Sequence, residues 1–157
     1  MKMAHQMRTA GLVLFAAAVA LCVSFVPAQS VAQEHKAVNL STTSGLPFSD
    51  GILAGKTLYV AGQQGTDSSG KLVEGGVEAE TTATLENIQK VLKAAGFDLK
   101  DVVNVTVYLA DIHEFPDMNK AYKSIMPDPK PARATVQVAA LVNNARVEIS
   151  AIAVKRK

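Results

Sequence analysis

Arg133 stands in the stretch of this chain whose residue types come nearest to chemistry. It belongs to Pro131-Ala132-Arg133-Ala134-Thr135-Val136-Gln137-Val138-Ala139-Ala140-Leu141. From Ala134 onward that stretch alternates apolar and other residues, the period of a strand that buries one face. Ala134, Val136, Val138 and Ala140 share the main apolar face; Arg133, Thr135 and Gln137 share the other. The arginine follows a proline that cannot donate to a strand ladder. A guanidinium suits a planar carboxylate because its fork donates two parallel hydrogen bonds. The same spacing also fits an arginine at a strand end in an exposed ion pair, which contributes little. Gly62-Gln63-Gln64-Gly65 is the second candidate. Its two glycines either let backbone amides approach a ligand or simply make a bend.

Other chemistries find few residues. Cys22 is the single cysteine, and it lies in an N-terminal apolar run. His35 and His113 have no paired spacing that would make a metal site. Nothing matches a phosphate loop or a Gly-x-Gly-x-x-Gly fingerprint, so neither a metal nor a cofactor is indicated.

The N-terminus has the layout of a secretory signal. Lys2 and Arg8 precede an apolar run from Gly11 to Val26, Pro27 breaks it, and Ser30-Val31-Ala32 offers small residues at a cleavage site. The run is short for a membrane-spanning helix, and Leu21 before Cys22 argues against a lipoprotein. Residues 1–32 are therefore expected to be removed, leaving 33–157 as one domain in the periplasm or outside the cell. Taking Lys2 and Arg8 from the 16 basic residues leaves 14, against 14 acidic. A formally neutral mature chain lacks the usual electrostatic footprint of nucleic-acid binding, and no membrane partner is expected after cleavage.

The elements that would position Arg133 can be read in order. A first strand is expected near Val38 to Leu40. Ile52-Leu53-Ala54 and Thr57 to Ala61, split by Gly55-Lys56, read as a hairpin. Val77 to Ala95 is the clearest helix: Leu85, Ile88, Val91, Leu92 and Ala95 make its stripe, and Gly96 stands where a helix commonly ends. Val102 to Leu109 reads as a strand buried on both faces. A second helix is expected from Glu114 to Met126, with Pro116 tolerated in its first turn and Pro127 ending it. Asn143-Asn144 tolerates positive φ before a last strand from Arg146 to Val154, so a tight hairpin fits there. The sum is an α+β domain with two helices on one face of a sheet.

Several of these segments together resemble the RidA (YjgF) family of reactive intermediate deaminases. Pro131-Ala132-Arg133 with Thr135-Val136-Gln137-Val138 is similar to its C-terminal signature, as are Val147-Glu148-Ile149 and Ala151-Ile152-Ala153-Val154. Leu58-Tyr59-Val60-Ala61-Gly62-Gln63, Thr84-Leu85-Glu86-Asn87-Ile88 and Asn119-Lys120-Ala121-Tyr122 match upstream, in the family's order. The resemblance spans about Gly45 to Lys155. It implies a chorismate-mutase-like fold with a mixed six-stranded sheet, a homotrimer with clefts between subunits, and a last strand inserted away from its chain neighbour. It also implies hydrolysis of reactive 2-imino or enamine acids to 2-oxo acids and ammonia, without a cofactor.

By the same resemblance, Arg133 grips the substrate carboxylate, Gly62 lends backbone to the ligand, and Asn119 lies near the cleft. Thr135 stands where many members carry cysteine. Three positions depart from the pattern. Ser150 occupies the place of the family's usual glutamate, while Glu148 matches an earlier, less implicated one. Phe48 replaces a tyrosine, and Ala61 replaces a serine. Carboxylate binding is expected to survive these changes; water activation and substrate range are what they put at issue. Two functions follow: an imine deaminase, or a non-catalytic trimer that binds small carboxylates with the same arginine.

Overall fold

The computed structural model describes residues 34–40, 45 and 47–156. The expected signal, residues 1–32 with Cys22, lies outside them. Among the described residues no helix is long and apolar enough to cross a membrane.

Two short apolar runs flank Gly55, which takes φ 58° and turns the chain between β2 (Gly51–Ala54) and β3 (Thr57–Gln64). They pair in the antiparallel register expected of a hairpin, Ala54 opposite Thr57. β1 (His35–Val38) adds to the outer edge of β2, a few residues earlier than its sequence predicts. The first helix, α1 (Gly76–Ala94), buries Leu85, Ile88, Val91 and Leu92 on one stripe. It ends as the glycine predicts. Gly96 takes φ 78°, its amide donates to the Lys93 carbonyl at 3.0 Å, and the Phe97 amide reaches back to Leu92 at 2.8 Å. That double closure satisfies carbonyls the helix would otherwise leave open, and it sends the Phe97 ring into the core.

The remaining elements are β4 (Val102–Leu109), α2 (Phe115–Ile125), β5 (Ala132–Gln137) and β6 (Val147–Val154). The six strands form one mixed sheet in the order β1-β2-β3-β6-β4-β5. Among the described strands only β4 and β5 pair in parallel; α2 supplies the crossover that a parallel pair requires. Asn143 and Asn144 do take positive φ, 60° and 57°. They make a short 3-10 turn rather than a hairpin, and β6 passes between β3 and β4.

The core lies between the sheet and the helices. Leu58 and Val60 of β3, Val105, Val107 and Leu109 of β4, and Val147, Ile149, Ala151 and Ala153 of β6 all point into it. Met118, Ala121 and Tyr122 of α2 are buried. The opposite sheet face is open: Tyr59 is 51% exposed, Val103 47% and Val136 44%.

Two expectations fail on that point. β4 is buried on one face only, because no second layer covers the side of Val103. The faces of β5 are reversed from the sequence reading: Arg133 and Thr135 are half-buried, while Ala134 and Val136 are exposed. α2 supplies residues that pack on the arginine, so this is the covered face despite its fewer apolar residues. The strand also stops at Gln137 rather than reaching Leu141.

Candidate active site

Arg133 is held by groups that leave its charge intact. Its guanidinium donates to Asn119 Oδ1 at 2.7 Å and lies over the Tyr122 ring, 4.4 Å from the centroid, with Phe115 at 5.7 Å. All three partners come from α2. Aromatic faces attract a cation without neutralising it, and an amide oxygen is uncharged. No carboxylate among the described residues pairs with Arg133. Burial holds the Tyr122 phenol above its ordinary pKa, partly offset by the neighbouring guanidinium, so the ring stays neutral beneath the cation. A cleft of about 400 Å³ opens here, lined by Asn119, Tyr122, Lys123, Lys130, Pro131 and Arg133.

A second cleft, about 580 Å³, gathers Phe48, Ala61 and Gly62 with Asp50, Gln64 and Glu148. Gly62 is there for space. A Cβ at that position would collide with the Glu148 carboxylate, so the absent side chain lets the carboxylate lie against the backbone of β3. Gln64 Nε2 holds the same carboxylate, donating to Glu148 Oε2 at 3.0 Å and to the Val142 carbonyl at 3.1 Å. The Phe48 ring is 54% exposed at the mouth.

The predicted residues thus fall into two groups within the chain. Arg133 and Asn119 share one cleft, and Phe48, Ala61 and Gly62 share the other. β3 and β5 are three strand places apart, about 14 Å by ordinary strand spacing, so one chain does not bring both groups onto one small molecule. Ser150 and Thr135 line neither cleft. Ser150 sits opposite Thr106 of β4, on the same strand face as Glu148. The Thr135 hydroxyl is buried without a hydrogen-bond partner. Sequence reasoning did not place Lys123, Lys130 or Gln64 in these clefts. The two lysines belong to no matched motif, and only the packing of α2 against the Pro129-Lys130-Pro131 approach reveals them.

A mixed six-stranded sheet backed by two helices carries, at one edge, an arginine with no carboxylate partner among the described residues. The family model described as Endoribonuclease L-PSP matches residues 40–155, and the chain belongs to that family, in which RidA proteins also fall. It is 50% identical over 110 residues to a Bos taurus protein named 2-iminobutanoate/2-iminopropanoate deaminase, covering 69% of this chain and 80% of that one. A crystal structure of RidA from an Antarctic Psychrobacter is similar at 34% identity and TM-score 0.71, over 76% of this chain and all of the other. E. coli TdcF, solved with bound serine, is similar at 28% identity and TM-score 0.72, over 77% and 99%.

Proposed function

We propose that this protein is a hydrolytic deaminase that converts reactive 2-imino acids to 2-oxo acids and ammonia, as the name of its half-identical relative describes. The observation that carries the reading is Arg133. It is half-buried, fixed by Asn119 and two rings, and has no counter-ion among the described residues. A partly desolvated guanidinium of this kind has its fork set for an incoming carboxylate. The bound serine of TdcF has the same α-carboxylate.

The reaction asks little more. An iminium carbon is already electrophilic. Water adds to it, the carbon–nitrogen bond breaks, the water oxygen becomes the keto oxygen, and nitrogen leaves as ammonium. Holding the carboxylate and placing the water supply the catalysis. Glu148, set against Gly62 and steadied by Gln64, is the carboxylate available to orient that water in place of the glutamate that Ser150 replaces.

The working form in this reading is a homotrimer. The open apolar face of Tyr59, Val103 and Val136 requires cover, and apposition of two subunits would join an Arg133 cleft to a Gly62 cleft. Light scattering should give about three times the mass of one chain; a monomer would defeat the shared site. Export with loss of residues 1–32 completes the proposal, and the intact mass of protein from the exported fraction checks it. A ribonuclease activity, which the family description names, has no support in a stretch from residue 33 onward with 14 basic and 14 acidic residues.

Ser150 favours a second reading, a carboxylate-binding trimer without turnover. Ammonia release from freshly generated 2-iminopropanoate separates the two. Acceleration over the buffer rate supports the deaminase; binding without acceleration supports the carrier.

A further inference from the structure

The cleft of Arg133 holds more positive charge than one carboxylate needs. Lys123 and Lys130 line it beside Arg133, and no acidic side chain among the described residues does. Lys123 has no side-chain hydrogen bond or ion pair among the described residues. Lys130 is anchored at the end of α2, where its ammonium donates to the Met126 carbonyl and approaches the Lys123 carbonyl at 3.5 Å. Carbonyls fix a cation in place without cancelling its charge. Asp128 stands 3.4 Å from Lys130 but is 85% exposed, and a pair so exposed is weak. A monocarboxylic imino acid would engage the fork of Arg133 and leave two ammonium groups facing an occupied cavity. Like charges gathered on one wall lower their mutual repulsion by attracting a further anion.

We infer that the cleft takes a dianionic ligand: a dicarboxylic 2-imino acid, with its α-carboxylate on Arg133 and its distal carboxylate on Lys130 and Lys123. The products are a dicarboxylic 2-oxo acid and ammonium. This names the substrate class of the site proposed above and rests on that reading.

The test uses the purified full chain and two imines generated in place by an amino-acid oxidase, 2-iminosuccinate from aspartate and 2-iminopropanoate from alanine. The kcat/KM ratio of the first to the second should be about ten at low salt and shrink as salt is raised. Lys123→Met and Lys130→Met should each lower that ratio severalfold, and Lys130→Arg should keep it. Should Lys130→Met fail to fold, Lys123→Met, whose ammonium supports no other group, carries the comparison. A wild-type ratio at or below one, or a ratio that both methionine variants leave unchanged, overturns the inference. Calorimetric binding of succinate against propanoate needs no turnover and separates the two claims. Tighter succinate binding with neither imine turned over keeps the dianion site and removes the deaminase. Turnover of 2-iminopropanoate with no succinate advantage does the reverse.

Discussion

Arg133 and Arg146 each bring a guanidinium to a half-covered position, and the regions around them use it in opposite ways. Arg146 reaches Glu114, and its Nε lies 4.0 Å from the buried Glu80, whose carboxylate also accepts the Arg146 amide at 2.8 Å. Two acids thus tie the start of β6 to α1 and to the turn before α2. Arg133 has an amide and two rings instead. The first arrangement uses the charge to join elements. The second holds the side chain by uncharged groups, which in the proposed function leaves the charge for a ligand. What separates the two arginines is the charge of their neighbours.

The largest effect should come from the carboxylate that complements Arg133 in the proposed reaction. Glu148→Gln should lower kcat about a hundredfold with little change in KM, the scale of a lost acid–base group. Ser150→Glu in the same background should restore part of the rate. Steady-state kinetics on a short imino acid decide this, and an undiminished kcat would remove Glu148 from the mechanism.

Arg133→Ala should cost about 1.5–3 kcal/mol of transition-state binding, at least about tenfold in kcat/KM, with a small change in Tm. Arg146→Met should do the converse. It exposes the Glu80 carboxylate to burial with only a backbone donor, and because Arg146 is 51% exposed the cost should be about 1–2 kcal/mol. Denaturant melts and kcat/KM measured on both variants would dissolve the contrast if the two arginines behaved alike.

The smallest effect concerns a structural charge that can be titrated. Burial pushes the Asp101 carboxyl up, but the Asp98 amide and Lys155 more than reverse this and hold it below its ordinary pKa of 3.8. Lys155 Nζ lies 3.0 Å from that carboxylate, donates to the Gly96 carbonyl at 2.7 Å, and sits over the Phe97 ring. A carboxyl depressed in the folded state stabilises fully above its unfolded pKa, and the contribution fades as pH falls through the lower folded value. Asp101→Asn should therefore lower stability at neutral pH by about 1 kcal/mol, read as a lower Tm, and the gap to wild type should close in acid. A constant gap from pH 7 to pH 2 would show that the charge is irrelevant.

Much of the fold was legible because long periodic segments carry their own signal: α1 and β4 lie within a residue of their predicted limits. β5 shows where that signal stops. Alternation reveals that Arg133 and Val136 point to opposite sides, but only the position of α2 decides which side is covered. The placement of Arg133, Asn119 and Gly62 followed motif resemblance. The partners that separate the two arginines did not, since Glu80 lies 66 residues before Arg146 and no local pattern links them. Nor could spacing show that Gly62 makes room for Glu148, a contact between strands that are neighbours only after folding.

β6 enters between β3 and β4 although it is the last described strand in chain order. Without β6 the strand pairings fall into two unconnected groups, β1-β2-β3 and β4-β5. Neither part has its central partner, and each exposes an unpaired strand edge. Closure depends on pairing residues as distant in sequence as Thr57 and Val154, contacts whose loop entropy slows folding. Completion of the sheet therefore waits on the strand that comes last among those described.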